Sequence, residues 1–324
     1  MRTLTYQQAA AEAITQSMVK DHRVFLIGEG VDNVTGVYGH VLPAFEKFGP
    51  QRVIDTPLSE NGLTGFCIGA ALDGLRPVLI HQRNDFMLLA MDQMMNQAAK
   101  LRFVSGGKHS IPLTVLSFVA RKQGEGAQHS QSLQTVFSSF PGLKVCMPSN
   151  AHDVKGMILT AIDDDDPTII LEHRSLFEET RNVPVKPFES PQSACIERSG
   201  NNLTIVGLSA ELIAIREAAG QLESCGISTE VIDVRWLRPL DVNTIFHSVQ
   251  KTGRLLVVDP SWQMYGMSSE IIASICERQP DLLKVPPRRI CLPDVPCPAS
   301  HYLMEQYFPG TSDIVRAAMD MMAT

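Results

Sequence analysis

No CxxC pair, no long apolar run and no lysine- or arginine-rich stripe occurs in these 324 residues. The seven cysteines (Cys67, Cys146, Cys195, Cys225, Cys276, Cys291 and Cys297) are odd in number and scattered, which argues against a disulfide framework and a structural zinc site. They read as reduced thiols. A membrane span needs about 20 consecutive apolar residues, and none is present. The first residues carry Gln7, Gln8 and Glu12 in place of a basic and then apolar secretory signal, so the expected location is the cytoplasm. With a net charge of −7 and no basic cluster, the chain lacks the electrostatic footprint of a nucleic-acid binder. Also missing are the GxxxxGK[ST] phosphate loop, the HExxH zinc helix, the GxSxG nucleophile elbow and the GxGxxG dinucleotide turn. Gly28-Glu29-Gly30 is a bare GxG with an acidic residue where a pyrophosphate would approach.

The length exceeds the ~250–300 residues at which one core stops growing, so two domains are expected. Hydrophobic residues at 44% and charged residues at 19% are ordinary globular usage, which excludes a disordered chain. Apolar, β-branched runs (24–28, 52–55, 77–81, 112–118, 143–148, 167–172) alternate with helix-period segments (5–20, 62–75, 87–100, 153–162). Strands apolar on both faces and separated by helices predict a parallel sheet covered by helices, with ligands gathered at the carboxyl ends of the strands. Pro184, Pro187 and Pro191 break both periodicities between 182 and 197. A second α/β alternation then follows, with strands at 203–208, 228–234 and 254–259 and helices at 210–225, 242–252 and 267–277. The domains are set at 1–184 and 199–324, joined by a linker at 185–198.

Polar residues cluster just past the predicted strand ends. Asp55-Thr56-Pro57-Leu58-Ser59-Glu60-Asn61-Gly62 leads into a Gly- and Ala-rich helix, where Glu60 reads either as a carboxylate attracted to a helix N-terminus or as a catalytic acid. Gln128-His129-Ser130-Gln131 lies in a polar loop ahead of a helix, where His129 reads as a cap or as a catalytic residue.

These strings occur in one order with Gly69-Ala70-Ala71, Gly74-Leu75-Arg76-Pro77, Asp92-Gln93, Ala98-Ala99-Lys100 and Pro141-Gly142-Leu143-Lys144-Val145. In that order they resemble the beta subunit of the thiamine-diphosphate-dependent first component of 2-oxoacid dehydrogenase complexes, of the pyruvate, branched-chain and acetoin types. Val231-Ile232-Asp233-Val234-Arg235, Arg238-Pro239-Leu240-Asp241 and Lys251-Thr252-Gly253 extend the resemblance through a transketolase-type C-terminal domain. The resemblance implies an α/β fold with an N-terminal parallel-sheet pyrimidine-binding domain and a smaller C-terminal α/β domain.

It also implies roles. Glu60 matches the acid that protonates the aminopyrimidine ring nitrogen, which lets the cofactor act as its own base. Phe86 matches the aromatic packed on that ring, although ordinary core packing also suits it. His129 matches the histidine near the reacting carbon. Glu29 is a candidate for the polar network near the cofactor, or a solvated turn residue. No Gly-Asp-Gly is present, so Mg²⁺ and the diphosphate are expected on an alpha subunit within an α2β2 heterotetramer. A lipoyl-bearing acyltransferase is the implied acyl acceptor.

Asp163-Asp164-Asp165-Asp166 follows a helix end, where the dipole disfavours negative charge. The family's structural K⁺ would carry over to Leu113, Ala161, Ile162, Asp164 and Asp166; a solvated acidic turn is the other reading. His81-Gln82-Arg83-Asn84-Asp85 departs from the family pattern just before Phe86. His81 and Arg83 would suit a polar or anionic substrate group, whereas Arg83 could instead pair with Asp85 or with the partner. The alternative activity is half of a split transketolase-like carboligase that passes an acyl or ketol unit to an aldehyde.

Overall fold

A computed structural model describes residues 1–33, 36–121 and 123–323. The chain forms two compact units, Met1–Ala120 with Val136–Pro191 and Arg121–Thr135 with Gln192–Thr324.

In the first unit six strands run parallel in the order Lys144–Cys146, Thr168–His173, Thr114–Val119, Arg76–His81, Val24–Gly28 and Val53–Asp55. Val24–Gly28, Thr114–Val119 and Thr168–His173 are buried at every position, as a sheet covered on both faces requires. From Val24–Gly28 the chain moves outward to Val53–Asp55, then returns to the other side through Arg76–His81 and Thr114–Val119. The strand order therefore reverses between Val24–Gly28 and Arg76–His81, and in open α/β sheets ligands bind beyond the carboxyl ends of strands at such a switch point. Glycine is required at position 28, because a Cβ there would lie 2.7 Å from Ile80 O on the adjoining strand.

Helix Tyr6–Lys20 starts with a reciprocal cap. Gln8 N donates to Thr5 Oγ1 at 3.1 Å and Thr5 N donates to Gln8 Oε1 at 3.0 Å. Ala9, Ala10, Ala13 and Ile14 are among its buried residues, and the helix packs on helix Ala151–Asp163. From that helix the Lys155 ammonium reaches Glu12 at 2.5 Å and Pro184 O at 2.7 Å.

Two expectations are corrected here. The single helix at 87–100 is instead a 3-10 turn Phe86–Ala90, a π-helix Asp92–Ala98 and a short α-helix Ala99–Val104. A 3.6-residue period cannot register the wider turns of a π segment. The proline-rich stretch is also less irregular than expected, because Thr180–Val183 pairs antiparallel with Arg2–Thr5 and Cys195–Arg198 forms a sheet edge. Partners far off in sequence satisfy these backbone groups.

The second unit holds five strands in the order Arg288–Leu292, Leu255–Trp262, Leu203–Gly207, Thr229–Asp233 and Cys195–Arg198; the last is antiparallel to its neighbour. Leu203, Ile205, Leu212, Ile215, Leu256 and Ile314 form part of its core. Helix Val242–Thr252 is capped at its start by Asp241, which accepts from Thr244 N at 3.1 Å, and ends on Gly253 at φ 72°. Residues 121–135 join this unit through tertiary contacts. Arg121 pairs with Glu211 and lies 4.4 Å over the Phe308 ring, and Gln134 Nε2 donates to Asp259 Oδ1 at 3.4 Å. A boundary drawn along the sequence could not separate this loop from the strands on either side of it.

Candidate functional site

Most of the candidates lie on segments that follow the strand ends at this switch point. Glu29 follows strand Val24–Gly28, and the segment from His81 to Phe86 ends strand Arg76–His81 and leads on from it. The two strand ends are tied by Gln82 Nε2, which donates to Glu29 O at 3.2 Å. Glu60 is the first residue of helix Glu60–Leu72, which follows the third strand end, Val53–Asp55. Glu60 is only 8% exposed, and among the described residues no cation pairs with it. The positive end of the helix dipole is its nearest electrostatic support.

His81 is 2% exposed, and burial pushes its imidazole down to about 4, so it is neutral at pH 7. Its Nε2 lies 2.9 Å from Thr64 Oγ1, and that hydroxyl donates to Glu60 O at 2.8 Å. Asn84 is buried, with Nδ2 donating to Phe118 O at 3.2 Å and to Asp85 Oδ2 at 3.1 Å. These bonds fix the turn that presents the half-buried Arg83 and Phe86. Thr64 and Asn84 were not singled out from the sequence. A lone hydroxyl one helical turn after Glu60, inside an otherwise small and apolar helix, was the available signal. His129 belongs to the second unit, where it is half-buried on the loop 121–135 and its N–H donates to Gly126 O at 3.3 Å.

The residues of the first unit fit the pyrimidine half of thiamine diphosphate. A buried carboxyl group without a counter-charge at a helix N-terminus is suited to share a proton with a ring nitrogen. Phe86, on the 3-10 turn that contacts helix Glu60–Leu72, offers an aromatic side chain in the same unit. The chain has no Gly-Asp-Gly for Mg²⁺, and among the described residues no three His, Cys, Asp or Glu side chains converge as a metal site.

The oxygens matched to a K⁺ site are engaged by donors of this chain. Ile162 O and Asp164 O each accept from Arg76 Nη1 at 3.0 Å; Leu113 O accepts from Thr168 N at 3.0 Å and Ala161 O from Asp164 N at 3.3 Å. The four aspartates have four cations: Lys20 on Asp163 at 2.6 Å, Lys144 on Asp164, Arg76 on Asp165, and Arg102 on Asp166 at 2.5 Å. This arrangement does not fit an added cation, because guanidinium and ammonium groups already supply the positive charge.

Comparison with known proteins gives the family. Residues 2–179 match the transketolase pyrimidine binding domain, and residues 192–314 match the transketolase C-terminal domain. The acetoin:2,6-dichlorophenolindophenol oxidoreductase subunit beta of Bacillus subtilis is 38% identical over 99% of this chain and 98% of its own length. The pyruvate dehydrogenase E1 component subunit beta of Rickettsia bellii is 37% identical over 97% of each chain. The mitochondrial counterpart of Saccharomyces cerevisiae is 35% identical over 99% of this chain and 90% of its own. A solved split-gene transketolase, an inactive beta4 tetramer, shares the fold with a TM-score of 0.78 at 18% identity, covering 99% and 98% of the two chains. The chain therefore belongs to the transketolase-like family of thiamine-diphosphate enzymes, among the beta subunits of 2-oxoacid dehydrogenase first components.

Proposed function

We propose that this chain is the beta subunit of a heteromeric 2-oxoacid dehydrogenase that decarboxylates a 2-oxo acid and transfers the acyl group to a lipoyl carrier. The observation that carries this reading is the buried Glu60 at the start of helix Glu60–Leu72, with no cation paired to it among the described residues. Bound thiamine diphosphate supplies a nucleophilic carbon for the substrate carbonyl. On the family resemblance, Glu60 would hold a proton at the pyrimidine ring nitrogen, Phe86 would orient that ring, and His129 would move a proton near the reacting carbon.

An alpha subunit supplies Mg²⁺ and the diphosphate contacts, within an α2β2 assembly. Its need fits the exposed apolar side chains Phe66, Leu88, Leu89 and Phe103 on adjoining elements of the first unit. An apolar surface of this kind marks an interface. No helix among the described residues is long and apolar enough to cross a membrane, and we assign the complex to the cytoplasm.

The chain alone is expected to bind thiamine diphosphate weakly and turn over nothing, and adding the alpha subunit restores both. Calorimetry showing tight, Mg²⁺-dependent binding by the isolated chain contradicts the split site. A second reading, transfer of an acyl or ketol unit to an aldehyde, is favoured by the half-buried Arg83 beside the site. Rates with a lipoyl domain and with aldehydes as acceptor decide between the two. Arg83→Met should weaken kcat/KM by about 2–4 kcal/mol for an anionic acceptor or substrate, and have little effect if Arg83 serves only the partner interface.

A further inference from the structure

The buried Thr64 hydroxyl has one proton and two partners. Glu60 O, a carbonyl, can only accept. Both bonds form together only when the hydroxyl donates to Glu60 O and accepts from His81 Nε2–H. The imidazole is neutral because burial disfavours its charge, so Nδ1 carries no proton.

His81 is fixed on its own side. It ends strand Arg76–His81, and its carbonyl accepts from Ser117 Oγ on the neighbouring strand at 2.8 Å. The helix start is not held by the usual means, since the Ser59 side chain at the N-cap position makes no capping bond. Among the described residues, the side-chain hydrogen bond that reaches this first turn from outside the helix is the one from the imidazole.

We propose that His81 is a positioning residue for Glu60, its Nε2–H acting through the Thr64 hydroxyl to tie the first helical turn to the end of strand Arg76–His81. This rests on the reading of Glu60 as the acid facing the pyrimidine ring. It replaces the direct substrate contact expected of His81, whose ring is turned to Thr64.

Long-range ¹H–¹⁵N correlation spectra of the histidine-labelled full chain read the tautomer directly. The expected result is a proton on Nε2 of His81 at pH 7, with the preference lost in Thr64→Val; a proton on Nδ1, or a charged ring, overturns the proposal. In the reconstituted complex, His81→Met and Thr64→Val should each lower kcat by about 10²-fold, the cost of a misplaced catalytic group, with KM for the 2-oxo acid unchanged. His81→Gln and Thr64→Ser, which keep the donor and the hydroxyl, should recover most of the loss, and the double variant should be no worse than either single one. A raised KM with kcat retained in His81→Met shows a substrate contact and sinks the idea, as do additive losses. Glu60→Gln is the control: wild-type cofactor activation in that variant refutes the role of Glu60 itself. Slow activation there, with normal His81→Met and Thr64→Val, refutes this inference alone.

Discussion

Arg121 lays its guanidinium on the carboxylate of Glu211 with the two side chains only 6% and 9% exposed, and the same group covers the Phe308 ring. The pair anchors the base of the loop that carries His129. Arg121→Met strands the Glu211 charge in a dry site and should cost about 3–5 kcal/mol in urea unfolding of the full chain. Removing both charges, in Arg121→Met with Glu211→Gln, should return most of that loss. If the double variant is as unstable as the single, packing on Phe308 and not the charge is what matters.

Glu60→Gln keeps the size and much of the hydrogen bonding of the carboxyl group but cannot supply the proton. Activation of bound cofactor should slow by about 10²–10⁴-fold, the range for a positioned acid or base. Hydrogen–deuterium exchange at the thiazolium carbon in the reconstituted complex measures this step. Exchange at the parent rate would leave Glu60 as a helix-end carboxylate only.

Acid stability should show the buried imidazole. His81 titrates near 6.5 when exposed and near 4 in the fold, so between those values the unfolded chain binds more protons than the folded one. The imidazole costs nothing above about pH 6.5, and stability falls as the pH drops from there to 4, by up to about 3 kcal/mol. His81→Phe removes this contribution, and its stability should change less steeply across the same window. Parallel curves for the two proteins would mean that His81 is not buried neutral.

The Asp163–Asp166 turn should be indifferent to alkali cations. Exchanging K⁺ for Na⁺ or tetramethylammonium at constant ionic strength should move the melting temperature by no more than about 1 °C. Arg76→Met, which strands Ile162 O, Asp164 O and Asp165, should cost roughly 1–3 kcal/mol, and K⁺ should partly restore it. A strong K⁺ requirement in the parent would return the turn to the family's cation site.

The strands were readable where a short apolar run is cut off by glycine, as in Val24-Phe25-Leu26-Ile27-Gly28, and the structure gives those same bounds. Glu60, Phe86 and His129 stand out as candidates because they lie in strings whose order a family shares. The pairings were not. Lys20 meets Asp163 across 143 positions and Arg102 meets Asp166 across 64, so the sequence displays four clustered anions and hides their scattered cations. The bond from His81 to Thr64 crosses from strand to helix, and no periodicity reports such a contact. The π-helix escaped because its residues are common in ordinary helices.

Phe103, 89% exposed at the end of helix Ala99–Val104, has a consequence for the cell as well as for the fold. On the proposed alpha-subunit reading, a newly made chain that exposes this ring is adhesive until its partner covers it. Capture by the alpha subunit rises with the concentration of that subunit, whereas clumping rises with the concentration of the chain itself. The ratio of the two gene products, more than the amount of either, then decides how much of this chain survives to work, so a surplus of it is lost instead of stored.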